Sequence, residues 1–147
     1  MLSKWASSTT IASSYIQSST AVTISASTGT VIDSSVFVAT NTAGDALWFG
    51  SRGINLSVSS TTLITPSRGR GLALDELNNG AIYLSSVIVT GAQFGLFVTT
   101  QSPGISLSIS SITFRNLAAG ATAIHFTGGT LVSTFTLANF EDTSVGL

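Results

Sequence analysis

The residues able to do chemistry are few. The acids are Asp33, Asp45, Asp75, Glu76, Glu141 and Asp142, and the bases are Lys4, Arg52, Arg68, Arg70 and Arg115. His125 is the only histidine, and there is no cysteine. General acid/base work needs two titratable groups facing one reacting atom. Only Asp75/Glu76 and Glu141/Asp142 are adjacent in sequence, and adjacent residues on a strand point to opposite sides. Neither pair therefore makes a dyad. Without cysteine, thiolate metal sites and cysteine nucleophiles are excluded. No pattern calls for a cofactor or metal, so the expectation is a non-enzyme.

Other features offer binding rather than catalysis. Trp48, Phe97 and Tyr83 alternate with aliphatic residues that a core would take, so they are expected to point outward. Trp48 and Phe97 fall on one sheet, where they could stack on a sugar or sit under a partner. Ser57, Ser85, Ser108 and Thr134 fall at similar outward places and read as a neutral wet face. Arg115 and Glu141 occupy equivalent positions one repeat apart and are expected to pair at the surface. The corner Arg68-Gly69-Arg70 could hold an anion but reads as a solvated turn. Asn55-Leu56-Ser57 matches a glycan acceptor tripeptide, which also arises by chance.

These residues need a scaffold, and the composition says which kind. The chain has 147 residues, 44% hydrophobic and only 7% charged, with net charge −1. Helices cover their wet faces with Glu, Lys and Arg. Here Ser, Thr, Asn and Gly supply the polarity, which suits extended strands. The low count of basic residues excludes a nucleic-acid stripe. No run of about 18 apolar residues makes a membrane-spanning helix.

The strands recur. An alternating strand appears at Ile54–Ser60, Ile82–Val87, Ile105–Ser111 and Leu131–Leu137, with a looser forerunner at Ala21–Ser27. A second strand follows at Thr61–Thr65, Ile88–Thr90, Ile112–Asn116 and Leu137–Asp142. A third runs through Ala46-Leu47-Trp48-Phe49, Gly71-Leu72-Ala73-Leu74, Gly95-Leu96-Phe97-Val98 and Ala123-Ile124-His125-Phe126. Repeats of about 24–28 residues that cannot bury a face alone must stack. The expected fold is all-β, a right-handed parallel β-helix: a three-sheet solenoid of about five coils, with right-handed crossovers the rule in about 98% of cases. Residues 1–20 read as an N-terminal lead-in or cap, and 21–147 as the repeats. The corner Pro66–Arg70 and the stretch Asp75–Gly80 read as external insertions.

This pattern resembles the pectate-lyase-like right-handed β-helix superfamily over residues 21–147. Phe114-Arg115-Asn116-Leu117 and Asn79-Gly80-Ala81-Ile82-Tyr83 are similar to the Phe-x-x-Asn and Gly-Gly-Ala-Ile motifs of autotransporter and polymorphic outer-membrane repeats, with the Asn at a different spacing and one Gly fewer. The superfamily resemblance implies a carbohydrate-active alternative. The Asn-Thr-Asp, Asp-Asp, Gly-His-Gly and Arg-Ile-Lys motifs of polygalacturonases are absent, as is a calcium-site acid cluster.

Val145-Gly146-Leu147 aligns with Phe94-Gly95-Leu96, so the last repeat reads as uncapped, with an open C-terminal end. Bare solenoid ends expose core and unpaired edges. The sequence reading is therefore a structural repeat module of a surface fibre, adhesin or virion appendage, extracellular, that self-associates into an oligomer or filament. Its assembly ends would involve Trp5, Tyr15, Ile16, Val145 and Leu147. The alternatives are a fragment of a tailspike- or lyase-type carbohydrate-active protein with a polysaccharide partner, and a glycan- or ice-binding module.

Overall fold

A computed structural model describes residues 3–4, 8–25, 27–50, 54–66, 68–77, 80–100, 105–128 and 131–141. The described residues form strands and turns only, arranged as three parallel six-stranded sheets. Sheet A holds β1 (Ser3–Lys4), β4 (Val22–Ser25), β7 (Leu47–Gly50), β10 (Arg70–Leu77), β13 (Phe94–Thr100) and β16 (Thr122–Gly128). Sheet B holds β2 (Thr9–Ala12), β5 (Thr30–Asp33), β8 (Leu56–Ser59), β11 (Gly80–Ser85), β14 (Ile105–Ile109) and β17 (Leu131–Phe135). Sheet C holds β3 (Tyr15–Ser18), β6 (Val36–Ala39), β9 (Thr62–Ile64), β12 (Val87–Thr90), β15 (Ile112–Arg115) and β18 (Ala138–Glu141). The chain visits A, B and C in turn, and each visit pairs with the strand three before it. This is a β-solenoid of about five coils, as the repeat pattern requires. At one strand spacing per coil the stack rises roughly 24 Å.

Residues of like type stack in columns. In sheet A, Val22, Leu47, Leu72, Leu96 and Ile124 are in register. In sheet C the column is Ile16, Phe37, Leu63, Val89, Phe114 and Phe140. In sheet B it is Ile11, Ile32, Val58, Leu84, Ile109 and Phe135. Members from β4 to β15 are buried, and together they form one continuous core. At roughly 25 cal/mol per Å² of apolar surface removed from water, this burial is the main stabilising term.

The sheet B to sheet C corner is made by serine. Ser13, Ser34, Ser60 and Ser86 all take left-handed backbone, with φ between 47° and 54°. The next residue turns its hydroxyl inward: Ser14, Ser35 and Thr61 donate to the carbonyls of Ala12, Asp33 and Ser59 at 2.7–2.8 Å. In later coils Val87 and Ile112 fill that place. Gly, Asn, Asp and Pro are the residues usual at such tight corners. A hydroxyl able to bond its own backbone does the same local work.

Several expectations need correction. Ala21–Ser27 was expected to belong with the sheet B strands. Its described strand β4 lies in sheet A, because Val22 and Ile24 match Leu47 and Phe49. Residues 9–18, within the stretch read as a lead-in, form β2 and β3. Asp75–Leu77 is not an external insertion: it continues β10 through an irregularity at Glu76 (φ 54°), and Leu77 is buried. Arg70 likewise opens β10 rather than belonging to a loop.

Glycine permits close approach at Gly95. A Cβ there would run into the Phe114 ring and lie 2.6 Å from the Ala123 carbonyl oxygen, so the strand can pass there only without a side chain.

Candidate functional site

The densest side-chain chemistry lies on the outer face of sheet A. Between two inward columns runs an outward one: Thr23, Trp48, Ala73, Phe97 and His125, one residue per coil. Trp48 and Phe97 thus point outward on one sheet, with Ala73 between them, and Phe97 stacks beside His125 as the repeat predicts. Ala73 is fully buried although it points away from the core.

Arg70 organises this face. Its Nε and Nη2 donate to the two oxygens of Asp45 at 2.9 and 2.6 Å, and Nη1 donates to Asp75 Oδ2 at 2.9 Å. The Arg70 backbone N–H also donates to Asp45, at 3.1 Å. Trp48 Nε1 donates to Asp75 Oδ2 at 2.7 Å, and Thr99 Oγ1 donates to Asp75 Oδ1 at 2.9 Å. The guanidinium carbon lies 4.9 Å from the centre of the Phe97 ring, within cation–π reach. Phe97 stacks on His125 at 4.9 Å with the ring planes nearly parallel at 4°, and Phe94 meets both rings edge-on at 5.5 Å. The Phe97 ring therefore stands between Arg70 of the preceding coil and His125 of the following one.

One guanidinium faces two carboxylates in the cluster. Burial works against the Arg70 cation, but hydrogen bonds and charge from Asp45, then charge and a hydrogen bond from Asp75, outweigh it and raise its pKa above the ordinary value. Both carboxylates are engaged by donors: Asp45 by Arg70, and Asp75 by Arg70, Trp48 and Thr99. The rings beside His125 are those of Phe97 and Phe94, which neither accept nor relay a proton. The arrangement ties β7, β10, β13 and β16 together from outside the core. It also differs from the solvated turn expected at Arg68–Arg70, where only Arg68 is exposed.

The Asp45–Arg70 pair was legible and was missed. Each residue lies two before a member of one column, Leu47 and Leu72, so they occupy the same place in successive coils. Adjacency in sequence was the wrong test for a solenoid; adjacency at one coil's spacing was the right one. The same test did find Arg115 and Glu141, whose Nε–Oε2 distance is 2.6 Å on the exposed side of sheet C.

Sheet B presents a different surface. Its outward column is Thr10, Val31, Ser57, Tyr83, Ser108 and Thr134. The expected hydroxyl column Ser57, Ser85, Ser108, Thr134 is corrected here: Ile82 pairs with Leu56, not Ile54, so Tyr83 stands where Ser85 was placed. The two-residue displacement left every facing unchanged, since side chains alternate with period two. Tyr83 is 55% exposed and Val31 46%. A shallow groove beside them is lined by Gly29, Asn55 and Ser57, among others. Asn55 lies in the turn before β8, not in the strand as expected; it is exposed, with φ 56°, and its Oδ1 accepts the Ala81 N–H at 3.0 Å. At the edge of this face Asp33 accepts the hydroxyls of Ser59 and Ser34, which hold its carboxyl below the ordinary 3.8.

Of the expected assembly residues, Trp5, Val145 and Leu147 lie outside the described residues, as does Asp142. Tyr15 is 67% exposed, and Ile16 packs partly against the core. On the last described coil Phe126, Phe135, Leu137 and Phe140 are exposed, although the first two and Phe140 continue inward columns that are buried one coil earlier. Phe140 stacks on Phe114 at 5.5 Å. Among the described residues no group of acids and histidine could hold a metal ion, and no helix is long and apolar enough to cross a membrane. No family model, no curated protein and no solved structure matches this chain.

Proposed function

We propose that this chain is a structural repeat module of an extracellular fibre, adhesin or virion appendage, in which one copy's coils continue onto the next. The observation carrying the proposal is the apolar face of the last described coil. Phe126, Phe135 and Phe140 sit above Val98, Ile109 and Phe114, which are almost wholly buried because a further coil covers them. A coil laid on that face would bury the rings in the same way and satisfy the strand edges of β16, β17 and β18. A second copy offers such a coil with the strand direction already matched. A contact of this kind joins unlike surfaces and so propagates instead of closing. The low charge of the chain removes long-range repulsion between copies. The resemblance of the repeat to the pectate-lyase-like superfamily and to autotransporter passenger repeats supports a surface setting. The reading includes no catalytic step, in keeping with Asp45 and Asp75 both being held by Arg70.

Light scattering across a concentration series, with negative-stain electron microscopy, tests the proposal. Mass should rise with concentration and rods should be visible, and Phe135→Ser with Phe140→Ser should leave a monomer. A folded wild-type chain that stays monomeric throughout would sink it.

A further inference from the structure

We infer that the outer face of sheet C is the seam along which two stacked filaments of this chain pair side by side. The inference rests on the end-to-end assembly proposed above and adds a second interface, one that runs along the stack.

The strands of sheet C are apolar on both sides. β6 reads Val36-Phe37-Val38-Ala39, β9 ends in Leu63-Ile64, and β12 opens with Val87-Ile88-Val89. Phe37, Leu63, Val87 and Val89 are fully buried in the core. Alternation then turns Val36, Val38, Ile64 and Ile88 outward, and each is partly exposed. Parallel strands that read as continuous apolar runs are those covered on both faces. The other two sheets lack this pattern. Sheet B carries Ser57, Ser59, Ser85 and Ser108 at outward positions, and sheet A has its own sealing layer around Arg70.

Register gathers the outward residues of sheet C into one patch. Val36 and Ile88 flank Thr62, and Val38 pairs with Ile64 in the next coil. The outward positions from β3 to β12 carry no charge. The face meets charge only at Arg115 and Glu141, which pair with each other. A flat, neutral face of β-branched side chains matches another sheet of the same kind, packed about 10 Å away.

Area decides in what form a second copy covers it. Six strands at ~4.8 Å spacing, each three or four residues long at about 3.3 Å per residue, give a face on the order of 29 Å by 13 Å, about 400 Å². That is about half of the ~800 Å² per partner in a stable complex, so two free copies do not hold each other. End-to-end stacking carries the face on from β18 to β3 of the next copy, because these two strands lie at opposite ends of sheet C. Each added copy then contributes its patch to a contact already formed, and the pairing becomes multivalent. The occupant is therefore the sheet C face of a second filament.

Negative-stain electron microscopy of the full chain tests this through rod width. Wild-type rods should be two solenoids wide. Ile64→Glu with Ile88→Glu should halve the width and leave rod length unchanged. Ile64→Thr with Ile88→Thr, which keeps strand propensity, should narrow the rods likewise. Ser57→Glu with Ser108→Glu on sheet B should leave the width as in the wild type. Single-width wild-type rods overturn the inference while leaving end-to-end assembly standing. So do single-width rods that co-sediment with phosphatidylcholine vesicles, which put a lipid surface on this face instead. Double-width rods in both Ile64/Ile88 variants overturn it as well. A chain that forms no rods overturns the assembly reading, and this inference with it.

Discussion

The outer faces of sheets A and B start from the same geometry and end differently. Both place one side chain per coil in an outward column. On sheet A the column reads Thr23, Trp48, Ala73, Phe97, His125, and Arg70, Asp45 and Asp75 flank it. A small residue between two large ones lets the rings and the guanidinium close over Ala73, so this face forms a second packed layer. On sheet B the column reads Val31, Ser57, Tyr83, Ser108, Thr134. Short hydroxyl side chains leave Tyr83 standing with nothing to close over it. A solenoid fixes which residues are neighbours; side-chain size and charge decide whether those neighbours seal a face or leave it open.

The comparison is broken most severely by Arg70→Met. It leaves Asp45 and Asp75 partly buried without their shared cation, and removing one partner of such a network is strongly destabilising. Chemical denaturation should show a loss of about 3 kcal/mol, and sheet A's amides should exchange faster while sheet B's remain protected. Trp48→Phe keeps the ring and removes only the indole N–H to Asp75. It should cost about 1.5 kcal/mol, the scale of a hydrogen bond to a charged group, read in the same denaturation series. The smallest effect belongs to sheet B. The carboxyl of Asp33 titrates lower in the folded chain than in the unfolded one, so its contribution is present above the ordinary pKa of 3.8 and is lost as pH falls through the depressed folded value. Thermal melts from about pH 5 to about pH 3 should therefore show a slightly steeper acid decline in the wild type than in Asp33→Asn.

Alternation and repeat length were enough to read the three sheets and the outward facing of Trp48, Phe97 and Tyr83. The third-strand alignment from Leu47 to Ile124 matches the register residue for residue. The first-strand alignment slipped by two residues at Ile82, because period-two alternation is indifferent to such a shift; Gly80 and Tyr83 gave no anchor. The serine corners were invisible for a different reason. Serine occurs everywhere in this chain, so its presence at Ser34 or Ser60 does not stand out, and only the backbone angle shows its role. The triad of Asp45, Arg70 and Asp75 lay between these cases, being present in the repeat frame but absent from any local window.

The corners also divide the molecule by what each would tolerate. Between sheets B and C the hinge is only one or two residues in every coil: Ser13-Ser14, Ser34-Ser35, Ser60-Thr61, Ser86, Ser110-Ser111 and Thr136-Leu137. The connections from sheet C to sheet A instead run from three to seven residues. A single residue inserted at the short hinge would turn the following strand inside out, whereas the longer bends already vary without disturbing the columns they join. New loops could therefore be grafted, by evolution or by design, at the bends leading into sheet A. The serine hinge would act as the fixed spine about which such variation accumulates.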